Sequence, residues 1–244
     1  MISGILYSLL AALGDVLGGL LVLTPFGRDP DWKRRRHLLA ALVAFGAGFM
    51  LAVSVLEMLP AAFDLNGGLA AVLAGYLAVH LTQHTLTPHF HFGEETHSEE
   101  MVSRGIGVWA LIGLVPHSFF DGVAISSGFM ANEQLGVMIF GAVILHKVPT
   151  GVSLASIMLA SGNTARNAFI AVMGIAVATV LGAIATPAFS VLARYGLALS
   201  AGVTIYVAAS NLIPEAQRER GLIIPSSVFL GVLAFYLARQ LLPH

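Results

Sequence analysis

A series of long apolar stretches constrains the fold of this chain more than any other feature. A helix needs about 20 apolar residues to cross the hydrocarbon core of a bilayer. The 244 residues carry only 12 basic and 13 acidic side chains, whereas an ordinary soluble domain is about one quarter charged. The sequence therefore predicts an all-α integral membrane protein with eight spans. The spans, numbered 1 to 8, cover residues 2–23, 38–60, 68–88, 105–130, 134–160, 168–192, 195–214 and 222–242.

Charge and cysteine content exclude several other classes of protein. The formal net charge is −1 and there is no basic patch to contact phosphates, so nucleic acid is not an expected partner. The chain has no cysteine, which excludes disulfides and thiolate metal ligands. Because the connections between spans are short, we predict one transmembrane domain over residues 1–244. Its first span is too long, and lacks the basic lead-in, for a cleaved signal peptide.

The distribution of lysine and arginine predicts how the chain crosses the membrane, because cytoplasmic loops collect basic residues. The opposite side holds only Arg194 and Arg239, and Lys147 lies inside span 5. The basic residues in the loops after spans 1, 3, 5 and 7 are Arg28, Lys33, Arg34, Arg35, Arg36, Arg104, Arg166, Arg218 and Arg220. We therefore expect both termini to be extracytoplasmic and, if the protein is prokaryotic, the membrane to be the plasma (inner) membrane.

Spans 4 and 5 carry the most informative polar residues, because such side chains at membrane depth are costly and usually mark function. His117 and Asp121 lie one helical turn apart in span 4 and share a face. An imidazole and a carboxylate on one face can supply two ligands to a divalent transition metal. Span 5 contains His146, followed by Lys147. We predict that His117, Asp121 and His146 contact a metal.

An internal repeat relates these two spans. Span 4 reads His-Ser-Phe-Phe-Asp-Gly-Val at residues 117–123, and span 5 reads His-Lys-Val-Pro-Thr-Gly-Val at residues 146–152. A second, weaker repeat relates Glu57, near the outer end of span 2, to Asn211, near the inner end of span 7. Both residues begin the pattern polar-x-x-Pro-x-Ala. The related helices cross the membrane in opposite directions. The sequence therefore predicts a 3+2+3 inverted repeat with a site near the midplane.

Polar residues elsewhere in the spans each allow two interpretations. Asp15 in span 1 and His80 in span 3 either line a pathway or pack between helices. Glu57 faces an entrance or remains an ordinary polar helix end. Asn211 and Glu215, at the inner end of span 7, are either exit ligands or helix caps.

The remaining candidates are small hydroxyls, one lysine and one loop. Ser118 and Thr150 are secondary ligand candidates, although small polar residues also let helices approach closely. Lys147 either pairs with Asp121 as a structural cation or occupies a vacated metal position. Residues 84–104 form a histidine-rich cytoplasmic loop that either collects metal weakly or is only a solvated connection. His89, His91 and His97 are the candidates for metal capture in this loop, and His84 at its start is a further pathway candidate.

With these features in place, the chain resembles the ZIP family of divalent metal transporters over essentially its whole length. The resemblance rests on His-Ser-x-x-Asp-Gly at residues 117–122, His-Lys-x-Pro-x-Gly at 146–151 and Asn-Leu-Ile-Pro-Glu at 211–215. It implies inward transport of Zn²⁺, and of Fe²⁺, Mn²⁺ or Cd²⁺, as substrate, with no cofactor and no catalytic residue. It also implies alternating access, with spans 1, 4, 5 and 6 moving against spans 2, 3, 7 and 8, in a homodimer.

Carried over residue by residue, the resemblance makes His117, Asp121 and His146 the ligands of the primary site. Many family members bind two metals, with Asn and an acid where this chain has Ser118 and Lys147. A charged ammonium cannot bind a metal, so we expect one ion, with Lys147 replacing the second. A further ligand of the family is Thr150 here, which leaves water or Glu57 to complete the site.

Two other classes of protein would also place these side chains in a membrane. One is a membrane-embedded zinc hydrolase, in which the metal activates water. The other is a proton-coupled transporter of small organic ions that uses His and Asp as relays. The inverted repeat and Lys147 favour the metal transporter. Imidazole must be neutral to bind a metal, so we expect uptake to weaken at acid pH.

Overall fold

The computed structural model describes residues 2–23, 32–85, 104–217 and 221–241, apart from the side chains of residues 32–39, 83–85, 104, 106, 215 and 216. Within these ranges the chain is helical almost throughout and contains no strand. The elements are α1 (Ile2–Leu23), α2 (Trp32–Val53), a first π-helical turn (Ser54–Met58), α3 (Leu59–Phe63), α4 (Gly68–Thr85), α5 (Arg104–Ala131), α6 (Glu133–Ala160), α7 (Ala165–Ala188), α8 (Ser190–Tyr206), a second π-helical turn (Val207–Leu212), α9 (Ile213–Ala216) and α10 (Ile223–Leu241).

The predicted fold class, an all-α integral membrane protein, is confirmed. Span 2 runs from α2 through the first π-helical turn into α3, and span 7 runs from α8 through the second into α9. Spans 1, 3, 4, 5, 6 and 8 are α1, α4, α5, α6, α7 and α10. Among the described residues, seven spans are long and apolar enough to cross a membrane. Span 3 has a shorter apolar part, Gly68–Thr82, and adjoins residues 86–103, which lie outside the description.

The boundary between spans 6 and 7 differs from its predicted place at residues 193–194. α7 ends one residue after Pro187, and α8 begins at Ser190, so Phe189 alone connects them. A proline lacks the backbone N–H that continues a helix, and the break follows it. Arg194, which the charge count assigned to a loop, therefore lies within α8. The prediction erred because it took the charged residue, rather than the proline, as the end of the span.

The eight spans form two groups of four. Spans 1, 4, 5 and 6 pack chiefly against one another and are called the site bundle, and spans 2, 3, 7 and 8 are called the flanking bundle. Inside each group, helices approach so closely at glycines that an added Cβ would meet a carbonyl of the facing helix. These glycines are Gly18, Gly122, Gly151 and Gly182 in the site bundle and Gly48, Gly75, Gly202 and Gly231 in the flanking bundle.

The site bundle repeats one packing register. Gly122 of span 4 faces the backbone of Thr179 in span 6, and Gly151 of span 5 faces the backbone of Asp15 in span 1. The relation between spans 4 and 5 seen in the sequence therefore extends to spans 1 and 6. This register matches His117 with His146, Ser118 with Lys147, Asp121 with Thr150, and Thr179 with Asp15.

The flanking bundle repeats in the same way. Gly48 of span 2 faces the backbone of span 8, and Gly202 of span 7 faces the backbone of span 3. The two π-helical turns occupy matching places in spans 2 and 7, where they contain Glu57 and Asn211. Such turns are rare in proteins, and many of those that do occur lie at functional sites. The equivalence of the Glu57 and Asn211 positions, inferred from the sequence, is therefore also seen in the backbone.

Candidate metal site

Three side chains of the kind that bind transition metals converge between spans 4 and 5. His117, Asp121 and His146 are buried, and one ligand atom from each lies within 4.8 Å of the others. Asp121 Oδ2 is 3.6 Å from His117 Nε2 and 3.3 Å from His146 Nε2. Two imidazole nitrogens and a carboxylate oxygen form a donor set suited to a divalent transition metal. The ligands that the sequence predicted are thus brought together.

The backbone of span 5 orients His146. Its Nδ1 lies 3.2 Å from the carbonyl oxygen of Ala142, one turn earlier in the helix. A carbonyl oxygen only accepts hydrogen bonds, so Nδ1 carries the proton and donates it. In the neutral ring, Nε2 then presents its lone pair towards Asp121. Because two acceptors face each other across 3.3 Å, a cation between them is favoured.

His117 is held less firmly than its counterpart. Its Nδ1 is buried and has no hydrogen-bond partner among the described residues. Its ring centroid is 5.4 Å from that of His146, with 35° between the ring planes. One histidine of the site therefore has a fixed tautomer and orientation, whereas the other is positioned by packing and by its neighbour Asp121.

Lys147 places a buried ammonium group beside this triad. Its Nζ lies 3.0 Å from Asp15 Oδ2 and 3.1 Å from Asp121 Oδ2. It also donates to Thr179 Oγ1 at 2.8 Å and to Ser118 Oγ at 3.3 Å. Lys147 is completely buried, and these contacts come from spans 1, 4 and 6. A buried charge needs such partners because desolvation is costly.

Sequence reasoning missed Thr179 and the direct contact between Lys147 and Asp15. Thr179 donates to the Ile175 carbonyl, so its oxygen is free to accept from Lys147. A signal for both contacts exists in the sequence. Asp15-x-x-Gly18-Gly19 in span 1 matches Thr179-x-x-Gly182-Ala183 in span 6. A search for a repeat between these two spans would have found them.

The secondary candidates lie in different surroundings. Thr150 is buried and donates to the His146 carbonyl at 2.8 Å, so its proton is directed to the backbone. Glu57 forms an ion pair with Arg239, with Oε1 2.9 Å from Nε. This pair lines a cavity of about 80 Å³, here called the outer cavity, which is distinct from the triad. Its lining residues are Glu57, Asn132, Gln134, Leu135, Met138 and Arg239.

The other predicted pathway residues are only partly described. His80 is exposed on span 3, and its ring centroid is 5.8 Å from that of Tyr206. Asn211 is half-buried in the second π-helical turn. Glu215 and His84 lie on helices, but their side chains are outside the described residues, as are His89, His91 and His97 entirely. The roles predicted for these residues stay predictions.

The fold and the triad together define a class: multi-pass membrane proteins that bury ligands of the transition-metal type between their helices. A family model described as ZIP Zinc transporter matches residues 80–238, and the chain belongs to this family. The family membership inferred from the sequence is thereby confirmed.

Several zinc transporters are similar to this chain. Zinc transporter SLC39A7 of Canis lupus familiaris is 30% identical over 174 residues, which cover 65% of this chain and 36% of the relative. Zinc transporter YKE4 of Saccharomyces cerevisiae is 23% identical over 210 residues, which cover 72% of this chain and 61% of the relative. The match thus spans about a third of SLC39A7 and less than two thirds of YKE4.

Proposed function

We propose that this protein carries divalent transition metals, Zn²⁺ first among them, into the cytoplasm, and that His117, Asp121 and His146 hold the ion on its way. The observation that carries the proposal is the convergence of three buried ligand atoms within 4.8 Å inside a bundle of membrane helices. The zinc-transporter relatives support the choice of ion. Fe²⁺, Mn²⁺ and Cd²⁺ are further candidates, because the same nitrogen and oxygen donors bind them.

The charges around the triad support a site for one metal. Asp15 and Asp121 contribute two negative charges and Lys147 one positive charge, so the empty site carries −1 and one dication makes it +1. A second dication would add two further charges beside a buried ammonium that already contacts both carboxylates. We propose that Lys147 takes the place of a second metal. Water completes the ligand set, because Glu57 is engaged elsewhere with Arg239.

The packing of the two bundles supports alternating access. Within each bundle, glycines bring helix backbones into contact, and such close packing favours movement as a unit. Between the bundles, Gly141 faces the Phe49 ring and Gly196 faces side-chain atoms of Ser127 and Val123. An added Cβ at Gly46 would lie 3.2 Å from Leu145 Cβ and no closer than 3.6 Å to the Leu145 backbone. We propose that the site bundle moves against the flanking bundle and exposes the triad to each side in turn. A homodimer and extracytoplasmic termini complete this proposal.

A transporter accounts for the repeat better than a membrane-embedded zinc hydrolase does. Alternating access uses two related halves that open to opposite sides, and the matched registers of spans 4 and 5 provide them. A hydrolase needs only one fixed metal and a bound water. We therefore propose no catalytic role. A relay for organic ions is disfavoured as well, because two imidazoles and a carboxylate converge on one point, an arrangement that suits a metal ion.

Uptake of Zn²⁺ into proteoliposomes that contain the full chain and an internal zinc indicator tests the proposal. We expect rapid uptake by the wild type and loss of most of it in His117→Ala and in His146→Ala. His80→Ala is the matched histidine variant outside the triad, and we expect a smaller loss. Wild-type rates in both triad variants would contradict the assigned site. Absence of zinc flux, with cleavage of lipid or amide substrates instead, would contradict transport.

A further inference from the structure

The outer cavity lies between the two bundles, at the end predicted to be extracytoplasmic. Glu57 of span 2 and Arg239 of span 8 form its wall in the flanking bundle, and Leu135 and Met138 of span 5 form part of its wall in the site bundle. Its volume is about 80 Å³, and a water molecule needs roughly 10–15 Å³ of such space. The cavity is therefore large enough for an ion that keeps several waters.

A single helix face connects this cavity with the triad. Met138, Ala142 and His146 follow one another at intervals of four residues in span 5 and so lie on one side of the helix. Eight residues of α-helix span about 12 Å. Ala142, between them, has a small side chain and also supplies the carbonyl that orients His146. An ion in the outer cavity is thus about two helical turns from the nearest ligand of the triad.

Glu57 supplies the carboxylate of this cavity, and the guanidinium of Arg239 is already paired with that carboxylate. Arg239 Nε lies 2.9 Å from Glu57 Oε1. The pair is partly open to solvent, with 24% of the Glu57 side chain and 43% of the Arg239 side chain exposed. An arriving ion can therefore reach the carboxylate, but only in competition with the guanidinium. Glu57 lies in the first π-helical turn of span 2, a kind of local backbone change that is often found at functional sites.

In the sequence, the matched positions of spans 7 and 3 do not hold this charged pair. The repeat equates Glu57 with Asn211, and the register that pairs Gly75 with Gly231 equates Arg239 with Gln83. The sequence thus has an amide residue at each of the positions that match Glu57 and Arg239. The matched register of close glycine contacts is therefore present in both pairs of spans, with and without the charges. The charges of Glu57 and Arg239 at the outer end therefore indicate a function specific to the entrance.

We propose that the outer cavity is a capture site for divalent cations, in which Arg239 is a tethered counter-ion that an arriving dication displaces from Glu57. This inference rests on the proposed function. The exchange involves no covalent step: the carboxylate leaves one cation for another, and the guanidinium swings towards solvent. A dication offers the carboxylate twice the charge of the guanidinium and displaces it, whereas a monovalent ion does not. Arg239 therefore sets a threshold for entry.

Kinetics of Zn²⁺ uptake in proteoliposomes test this exchange. Arg239→Gln frees Glu57, so we expect KM to fall by up to about fivefold, the range of an exposed ion pair, while kcat stays near the wild-type value. Glu57→Gln should raise KM by a similar factor. In the Glu57→Gln background, Arg239→Gln should have little further effect. Arg239→Lys keeps the charge and should stay close to the wild type.

The controls separate displacement from a general effect of charge. Arg194→Gln removes a cation that stacks on Tyr195 at 5.2 Å, and we expect it to leave KM unchanged. If Arg239→Gln lowers KM equally with and without Glu57, or does not lower it, the proposed exchange is wrong. Equilibrium dialysis of Zn²⁺ with the His117→Ala/His146→Ala protein provides a readout without transport. We expect residual binding that Arg239→Gln strengthens and Glu57→Gln removes.

The two readouts distinguish this inference from the proposed function. Residual binding with the expected pattern, together with absence of Zn²⁺ uptake by the wild-type protein, would support the capture site and contradict the transport proposal. Transport without that pattern of binding and KM would do the reverse.

Discussion

Spans 4 and 5 pack in the same register against their neighbours, yet their side chains differ in charge. Both carry a histidine at the position nearest the proposed metal, His117 and His146. At the other matched positions, one member of each pair is ionisable and the other is a neutral hydroxyl. These pairs are Lys147 with Ser118, Asp121 with Thr150, and Asp15 with Thr179.

The comparison teaches that the fold repeats whereas the chemistry does not. Helix packing needs small residues in both copies, and Gly122 and Gly151 supply them. A charge in both copies would place four carboxylates and two ammonium groups in one buried volume. Placing the charge in only one member of each matched pair leaves two carboxylates and one ammonium, a net charge of −1 that one dication changes to +1. The asymmetry therefore follows from the cost of buried charge.

The largest expected effect comes from the unequal pair Asp121 and Thr150. Asp121 Oδ2 contacts both histidines and Lys147, so Asp121→Ala removes a ligand and the centre of the network. We expect uptake of Zn²⁺ to fall at least roughly 10-fold, since even the loss of a residue that only hydrogen-bonds to a metal ligand has effects of this size. Thr150→Ala, at the matched position, loses one hydrogen bond to the backbone and should retain most uptake. Equal losses in the two variants would show that the proposed difference in role is wrong.

The next effect concerns the buried charges rather than the metal. Lys147→Ser copies Ser118 and leaves Asp15 and Asp121 without their cation, which should lower the free energy of unfolding by about 3–5 kcal/mol. Asp15→Thr copies Thr179 and removes one of the stranded carboxylates. The double variant should therefore be more stable than Lys147→Ser alone. Thermal unfolding in detergent measures both, and a double variant with purely additive losses would contradict the coupling.

The smallest expected effect tests the repeated packing itself. Gly122→Ala and Gly151→Ala each push a Cβ into the backbone of the facing helix, and overpacking of this kind costs about 1–3 kcal/mol. Because the registers match, the two losses should be similar. Gly174→Ala is the control, since its Cβ would meet only a Leu111 methyl group at 3.6 Å. Markedly different losses at Gly122 and Gly151, measured by thermal unfolding, would break the equivalence of the two spans.

Much of the fold and the core of the site could be predicted from the sequence. Helical periodicity alone places His117 beside Asp121, and the repeat selects His146. The contact of Lys147 with Thr179 could be predicted only by recognising the repeat between spans 1 and 6. The contact of Glu57 with Arg239 could not be predicted in this way, because it joins spans that are distant in sequence. Such a contact depends on which helices pack together, and apolar spans of similar composition give little indication of their neighbours. The break near Pro187 was misplaced because no run of polar residues accompanies it.

The hydrogen bond from His146 to Ala142 has a further consequence for a site that moves. It ties the candidate ligand to the backbone of its own helix. The triad, Lys147 and the partners of its ammonium group all belong to spans 1, 4, 5 and 6 as well. The candidate ligands and the residues that support them therefore keep fixed positions relative to one another within the site bundle. In the proposed movement, a bound metal keeps all its bonds to the protein. Only its water ligand changes, because the water comes from whichever compartment the site then faces.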